Sequence, residues 1–252
     1  MNIACAKPRP VLIPAGSYQL RLATTPAELE AAQRLRFEVF NLELNEGLDS
    51  AYLSGLDQDR FDEICDHLIV EHVATGAIVG TYRLQTGAFA AAHCGYYSEQ
   101  EFDFSPFEPI RCELVELGRA CVHRDHRKVS VLNLLWRGII KYATARDARY
   151  LIGCSSLTSQ DAALGQAMYE QLRPAHLAAE PFRTRPVLEY QLPVVVPAAE
   201  CEPPPRLLRA YLALGAKICG PPALDREFKT IDFLTFLDLS ALPETVRNHF
   251  LD

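Results

Sequence analysis

Apolar side chains recur at helical spacing in several parts of this 252-residue chain. Residues 25–28, Thr-Pro-Ala-Glu, match a capping box with proline at the first helical position, and apolar residues continue at helical spacing as far as Phe40. The pattern predicts a first helix over residues 26–40. Further helices are predicted over residues 131–143, 161–172 and 206–214, with Pro174 and Gly215 as stop signals for the last two.

Runs rich in β-branched and apolar residues predict the strands. Residues 67–73 and 77–84 are separated by Thr75-Gly76, which is typical of a β-hairpin. Further strands are predicted over residues 112–122, 150–155 and 231–239, and residues 86–111 are interpreted as an irregular insertion with room for a short helix. The order of these elements favours an α/β (α+β) fold built on one mixed sheet.

The composition of the chain changes near residue 197. Pro197 and the prolines at 203–205 are typical of a linker, and the roughly 55 residues that follow are close to the lower limit for an independent core. We therefore predict one domain over residues 18–196 and a C-terminal extension over residues 197–252, packed on the same domain.

Composition and length are those of an ordinary globular protein. No apolar run approaches the roughly 18 to 20 residues of a membrane span, and the apolar stretch beginning at Val11 is too short for a signal peptide. We expect a cytoplasmic location, with or without peripheral contact to the inner membrane. The eight cysteines contain no C-x-x-C pair and are interpreted as reduced and mostly buried.

The charges are distributed unevenly along the chain. Residues 38–71 hold ten acidic residues and one basic, whereas residues 119–149 hold eight basic and two acidic. Such asymmetry can steer two differently charged partners to two faces of one molecule, although two solvated surfaces are an equally simple interpretation. No nucleic-acid partner is expected from a chain with a net charge of −7.

Three spaced charged clusters suggest an enzyme that joins an amine to an acyl thioester. The clusters are residues 57–62, residues 80–84 and residues 116–119. The attacking amine must be neutral, so the site needs a proton acceptor. Glu116 lies in a predicted strand, where a carboxylate is costly unless it is paired or functional, and it is the candidate general base. The alternative is an ion pair of Glu116 with Arg83 or Arg119 that only fastens the sheet.

Further charged residues are candidates for binding the acceptor. Asp59 and Asp62 share a face on a helical turn, as suits an ammonium group, although such acids are often only solvated. Arg36 lies beside the apolar stripe of its helix, so it should have an acidic partner in this segment. His123 and His126 have no further ligand at metal-site spacing, and no metal site is expected.

These residues together resemble a known enzyme family. The motifs Arg36-Phe37-Glu38-Val39-Phe40, Asp57-x-Asp59-x-Phe61-Asp62, Gly80-x-x-Arg83-Leu84 and Glu116-Leu117-Gly118-Arg119 resemble those of acyl-homoserine lactone synthases, which have the Gcn5-related N-acyltransferase (GNAT) fold. Residues 65–68, 117–122, 135–138, 151–156, 207–216 and 225–232 more closely resemble the hemolysin-like branch, the ornithine-acyl carrier protein N-acyltransferases. The resemblance covers roughly residues 20–240.

The resemblance implies a mostly antiparallel sheet flanked by helices, with strands that splay at the acyl-donor site. It implies Glu116 as the catalytic base, with Arg36, Phe40, Asp59, Asp62, Arg83 and Arg119 lining or bracing the substrate site. The implied donor is the acyl-phosphopantetheine of acyl carrier protein, with no bound cofactor. An acidic carrier protein would suit docking residues Arg124, Arg127 and Lys128.

The implied reaction moves a long-chain acyl group, with or without a 3-hydroxyl, to the α-amine of an amino acid such as L-ornithine, giving lyso-ornithine lipid. Residues 124–130 contain no glycine to wrap a pyrophosphate, which disfavours coenzyme A as donor. No tryptophan lies in residues 42–46, unlike in lactone synthases. A lactone synthase and a non-catalytic module that binds a carrier protein or a membrane surface remain the alternatives.

Overall fold

A computed structural model describes residues 11–199, 202–244, 246 and 250. The strands are β1 (Leu12–Ala15), β2 (Tyr18–Leu22), β3 (Asp66–His72), β4 (Ala77–Thr86), β5 (Leu114–Val122), β6 (Tyr150–Leu157), β7 (Lys217–Ile218), β8 (Ala223–Asp225) and β9 (Thr230–Asp238). The helices are α1 (Pro26–Phe37), α2 (Ala51–Ser54), α3 (Gly87–Ala92), α4 (Val129–Thr144), α5 (Ala162–His176) and α6 (Arg206–Ala213).

The strands form one sheet in the order β1-β2-β3-β4-β5-β6-β9-β7, with β8 also paired to β9. Every pair is antiparallel except β5–β6, which is parallel. The predicted mixed sheet is confirmed. The segment after residue 197 supplies β7, β8 and β9, and β9 pairs with β6 from Tyr150 to Leu157, so this extension is part of the sheet.

The two faces of the sheet carry different kinds of side chain. Tyr82 and Leu84 of β4 belong to a core that includes Val131, Leu135 and Ile139 of α4, whereas Arg83 between them pairs with Asp59 on the opposite side. The alternation follows from the two-residue period of a strand. The α4 face is therefore apolar, and the opposite face carries the charged residues of interest.

Close packing of α4 depends on Gly138. A Cβ at this position would lie 2.7 to 2.8 Å from side-chain atoms of Leu20 and Leu68. Because real Cβ atoms do not approach so closely, a larger residue would displace these leucine side chains or move α4 away from β2 and β3. The position of α4 matters because its N-terminus reaches the cavity described below.

Most predicted elements are found with shifted ends. The capping box is present, with the Thr25 side chain accepting from the Glu28 N–H and the Glu28 side chain accepting from Thr25. Helix α1 ends at Phe37 and continues as a π-helical turn over Glu38–Glu43. Residues 86–111 contain α3 and irregular segments, as predicted.

The structure differs from the sequence prediction in two places. Pro174 does not stop α5, which continues to His176; a proline in the last turn removes one N–H donor, while the Leu177 N–H still bonds the Arg173 carbonyl. The hairpin of β1 and β2 was not predicted, because β1 is four residues long and its alternation is too short to recognise. Its turn contains Gly16 at φ +60°, a conformation that favours glycine.

Among the described residues, no helix combines the length and the apolarity needed to cross a membrane. Six of the eight cysteines lie in the described ranges and all six are free thiols, whereas Cys5 and Cys201 fall outside these ranges. Cys121 and Cys219 are buried, but Cys94 and Cys112 are exposed, so the expectation of mostly buried cysteines holds only in part.

Candidate active site

The parallel pair β5–β6 separates after three residues and opens a cavity. The paired residues are Leu114–Glu116 with Tyr150–Ile152, although both strands continue beyond them. The cavity has a volume of about 660 Å³ and is lined by β5 from Glu116 to Val122, by Cys154 and Ser156 of β6, and by Thr158 just after β6. Beyond Glu116 the register pairs no residue of β5 with β6, so this edge of β5 faces the cavity.

Gly153 marks the point where the two strands part. A Cβ at Gly153 would lie 2.1 Å from the carbonyl oxygen of Leu117. A side chain there would force the strands apart earlier and displace the β5 residues beside it. The glycine therefore fixes where the cavity begins relative to Glu116.

Glu116 lies at this junction and is 5 % exposed. One carboxylate oxygen accepts from the Ser98 N–H at 2.8 Å and from Ser98 Oγ at 2.7 Å, and the other accepts from the Tyr97 N–H at 2.9 Å. Burial raises the pKa of the Glu116 carboxyl above its ordinary value, and these hydrogen bonds and the charge of Arg83 offset this only in part. A raised pKa suits a carboxylate that must accept a proton from an ammonium or amine.

A β-bulge brings Arg119 to the same side of β5 as Glu116. Two residues, Arg119 and Ala120, lie opposite Tyr82 of β4, and Arg119 adopts φ +48°. In a regular strand, residues three apart point to opposite faces, and the extra residue of the bulge reverses this. As a result the Arg119 guanidinium lies 4.8 Å from the centre of the Tyr97 ring, and the Tyr97 N–H bonds Glu116.

Three arginines and three aspartates form a buried ion-pair network beside the cavity. Arg36 Nε lies 2.8 Å from Asp57, Arg36 Nη2 lies 2.6 Å from Asp62, Arg83 Nη1 lies 2.6 Å from Asp59, and Arg119 Nη2 lies 3.0 Å from Asp59. The predicted acidic partner of Arg36 is confirmed. Burial would raise the pKa of Asp62, but the Arg36 guanidinium outweighs burial and holds the pKa below its usual range.

The network changes how the predicted substrate-binding residues can act. Phe40, Arg83 and Arg119 line the cavity. Arg36 is fully buried, and Asp59 and Asp62 have guanidinium partners rather than open carboxylates. In this arrangement the two aspartates are placed to brace Arg83 and Arg119, and a direct contact of Asp59 or Asp62 with a substrate ammonium stays a prediction.

The two oppositely charged stretches meet in the folded protein. Arg127 donates through both terminal nitrogens to Glu43, at 2.5 and 2.7 Å, and Arg146 pairs with Asp66. Both stretches are therefore partly neutralised by each other. Of the predicted docking residues, Arg127 and Lys128 line the cavity where α4 begins, and Arg124 lies in the turn just before it.

Several residues at the site were not identified from the sequence. Tyr97, Ser98 and Glu101 come from the irregular insertion, where no hydrophobic period separates inward from outward positions. Cys154 and Asp232 lie on predicted strands. Asp232 could have been selected by the argument used for Glu116, because it is an acid within a predicted strand. Among the described residues, the one group of side chains placed to hold a metal is Glu101, Cys154 and Asp232; His123 and His126 are not part of it.

Comparisons with known proteins identify the family of the chain. A family described as Acetyltransferase (GNAT) domain matches residues 35–137. The L-ornithine N(alpha)-acyltransferase of Rhodobacter capsulatus is 32% identical over 245 residues, covering 93% of this chain and 95% of that protein. The L-ornithine N(alpha)-acyltransferase of Brucella abortus is 32% identical over 243 residues, covering 90% of this chain and 86% of that protein.

Solved structures share the fold at low identity. FeeM, an N-acyl amino acid synthase from uncultured soil microbes, has a TM-score of 0.53 and 13% identity over 93% of each chain. BjaI, a coenzyme A-dependent acyl-homoserine lactone synthase, has a TM-score of 0.50 and 12% identity over 89% of this chain and 81% of its own. The GNAT fold predicted from the motifs is confirmed. With these relatives matching nearly the whole chain, the protein is an acyltransferase that belongs to the GNAT-fold family of L-ornithine N(alpha)-acyltransferases.

Proposed function

We propose that this acyltransferase moves a long-chain acyl group, with or without a 3-hydroxyl, from the phosphopantetheine thioester of acyl carrier protein to the α-amine of L-ornithine. The product would be lyso-ornithine lipid. The observation that carries the proposal is the buried carboxylate of Glu116 at the start of the opening between β5 and β6. The names of the relatives from Rhodobacter and Brucella support ornithine as the acceptor.

The chemistry assigned to the site follows from this placement. Glu116 takes a proton from the amine, and the nitrogen attacks the thioester carbonyl. A carbon–nitrogen bond forms, the carbon–sulfur bond breaks, and the thiolate leaves and takes up a proton. Peptide N–H groups of β5 beyond Glu116, on the edge that faces the cavity, are placed to stabilise the oxyanion.

The cavity wall offers an apolar surface for the acyl chain. Leu117, Leu132, Leu135, Leu207 and Tyr211 line it, from β5, α4 and α6. An acyl chain that lies among these residues would leave water, at roughly 0.8 kcal/mol for each buried methylene. A long chain is therefore favoured over an acetyl group.

Product analysis tests the proposal directly. Incubation with long-chain acyl-carrier protein and L-ornithine should give an N(alpha)-acylated product by mass spectrometry. The same incubation with S-adenosylmethionine tests for a lactone synthase. Absence of any N-acyl product across a panel of amines and donors, despite binding of the carrier protein, would instead favour the non-catalytic alternative.

We expect the carrier protein to dock at the N-terminus of α4. Lys128 is the N-cap residue of α4 and has no side-chain capping bond, and Lys128, Val129 and Arg206 line the cavity. Lys128→Glu should raise the KM for acyl-carrier protein roughly tenfold, because a rim charge controls the encounter with an acidic partner. The KM for an acyl-pantetheine fragment should change little.

Lys141→Glu provides the matched control for docking. Lys141 lies in the last turn of the same helix, away from the cavity lining. Docking at the start of α4 would be contradicted if Lys128→Glu and Lys141→Glu changed the KM for acyl-carrier protein equally. It would also be contradicted if Lys128→Glu changed the KM for acyl-carrier protein and the KM for the acyl-pantetheine fragment equally.

A further inference from the structure

A group of buried acids lies against the cavity on the β6–β9 side. The side chains of Glu101, Cys154 and Asp232 each place one N, O or S ligand atom within 4.8 Å of the others. Cys154 and Asp232 line the cavity, as does Glu46. Glu101 and Asp232 are 1 % and 3 % exposed. None of these acids takes part in the proton transfer assigned to Glu116.

Glu101 and Asp232 bond each other, and Asp232 also bonds Ser156, but each carboxyl group has one oxygen without a partner. Oε1 of Glu101 and Oδ1 of Asp232 accept no hydrogen bond from any described residue. Two arginines on the cavity wall, Arg83 and Arg119, pair instead with Asp57 and Asp59. Buried polar atoms are almost always hydrogen-bonded in native proteins, so the unpaired oxygen of Asp232, a residue that lines the cavity, points to a missing ligand.

The missing ligand should be positively charged. Burial and the neighbouring Asp225 raise the pKa of Glu101 and of Asp232 above their usual values. Glu101 and Asp232 lie close enough to share a proton, and Glu46 lines the same cavity. An ammonium group would offset the negative charge of this cluster while donating up to three hydrogen bonds.

A short series of contacts connects this cluster to the proposed base. Ser98 Oγ lies 2.7 Å from Glu116 Oε1 and 3.4 Å from Cys154 Sγ, and Cys154 Sγ lies 3.7 Å from Glu101. The two ends of the site are thus separated by two small side chains. Ornithine in an extended conformation has its two nitrogens about 6 Å apart, by ordinary bond lengths, so one molecule can present a nitrogen to each of two neighbouring sites.

We propose that Glu101 and Asp232 bind the side-chain ammonium of the acceptor amino acid, so that the enzyme selects diamino acids over neutral ones. The inference rests on the proposed function, which places the α-amine at Glu116. With one ammonium held at the acidic cluster, the chain of the amino acid directs its other nitrogen toward the opening between β5 and β6. Selection then follows because a neutral side chain leaves the buried carboxylates unpaired.

A metal ion is the competing occupant of the same three residues. Cys154 Sγ lies at hydrogen-bond distance from Ser98 and Glu101, so the thiol has hydrogen-bonding partners without a metal. The comparison of Zn²⁺ with ornithine in the test below decides between the two occupants.

Norvaline is the matched probe, because it has the carbon chain of ornithine and lacks the side-chain amine. The full-length protein, with unacylated holo-acyl carrier protein present, should show a larger rise in Tm with ornithine than with norvaline. In turnover, kcat/KM for ornithine should exceed that for norvaline by on the order of 10²-fold. In Asp232→Asn this ratio should fall to within about tenfold, and the Tm shift with ornithine should be lost.

Stability of the unliganded variants separates ligand binding from a structural role. Removal of an uncompensated buried carboxyl should leave the Tm of Asp232→Asn equal to or above that of the wild type. Glu101→Gln should behave in the same way and provides the test if Asp232→Asn does not fold. Asp238→Asn, on the same strand with its carboxylate paired to Arg149 at the surface, is the control and should keep the full preference for ornithine.

Different results would overturn the two proposals. Equal binding and equal turnover of ornithine and norvaline would remove the assignment of the acidic cluster while leaving the N-acyltransferase function intact. Binding of ornithine that is selective and depends on Asp232, without N-acylation from any donor, would remove the proposed reaction and leave the ammonium site. A Tm rise with Zn²⁺ that exceeds the rise with ornithine and is lost in Asp232→Asn would make the cluster a metal site and overturn the inference.

Discussion

Glu116→Gln is expected to lower kcat for N-acyl transfer by about 10²- to 10⁴-fold, the usual contribution of a positioned general base. The carboxamide is nearly isosteric and can still accept from Ser98, so the fold should persist. Its amide nitrogen would face the Tyr97 N–H, which now donates to the carboxylate at 2.9 Å; this lost hydrogen bond should cost only about 1 kcal/mol of stability. Turnover measured with saturating donor and acceptor, together with Tm, checks both expectations.

The pH dependence of kcat/KM gives a second test of Glu116 as the general base. The base must be ionised to accept a proton, and burial raises the pKa of Glu116. The acidic limb of kcat/KM in the wild type should therefore lie above the ordinary glutamate value of about 4.3, with activity lost as pH falls through it. The limb due to Glu116 should vanish in Glu116→Gln.

Glu113→Gln is the control for Glu116→Gln. Glu113 is exposed and lies three residues earlier, just before β5. It should retain wild-type turnover and the wild-type pH limb. Wild-type turnover in Glu116→Gln would assign Glu116 a purely structural role in holding Tyr97 and Ser98.

Arg36→Met should reduce the free energy of unfolding by about 3 to 5 kcal/mol, the cost of leaving buried charges without their partner. Asp57 and Asp62 are 0 % and 4 % exposed, and Arg36 contacts both. Methionine has a similar reach, so the loss would come from charge rather than from a cavity. Urea denaturation at neutral pH measures the change.

The Arg36→Met substitution should also change the pH dependence of the free energy of unfolding. In the wild type the pKa of Asp62 is held below its usual value, so the ionised form stabilises the fold at neutral pH, and this contribution is lost as pH falls below about 4, the unfolded-state pKa. In Arg36→Met, acidification should lower the free energy of unfolding by less than in the wild type. Without the guanidinium, ionised Asp62 stabilises the fold less, so its protonation removes less stability.

Arg34→Met is the control that separates loss of the buried ion pairs from a general effect of removing an arginine. Arg34 lies on the same helix two residues earlier, and its side chain is 54 % exposed in a pair with Glu30. A surface pair of this kind contributes about 0.5 kcal/mol or less. Equal destabilisation by the two substitutions would contradict the importance assigned to the buried ion pairs.

The sequence identified those site residues whose environment follows from local pattern. Glu116 could be selected because a carboxylate inside a strand demands a reason, and Arg36 because a charge beside the apolar stripe of a helix demands a partner. Each of these two expectations follows from the sequence of a single strand or helix. The family motifs added Arg83 and Arg119, which line the cavity.

Features that need two distant elements were out of reach. Nothing local to Arg119 signals the bulge that turns it toward Tyr97, because the bulge is defined by register against β4. Asp59 and Asp62 lie in a segment with the composition of a solvated loop, and their pairing with three arginines from separate elements had no local signal. Ser98 lies in a segment without periodicity, so its bonds to Glu116 had no sequence signal.

The position of β9 has a consequence for how the chain acquires its structure during synthesis. Strands β1 to β5 pair with neighbours in chain order, whereas β6 is flanked by β5 and by β9, whose first residue is Thr230. A nascent chain can thus form the first hairpins early, but β6 keeps an open edge until the last strand leaves the ribosome. Ribosome-bound chains that stop before residue 230 should therefore engage chaperones more strongly than the completed protein, because an unpaired, apolar strand edge is prone to wrong partners.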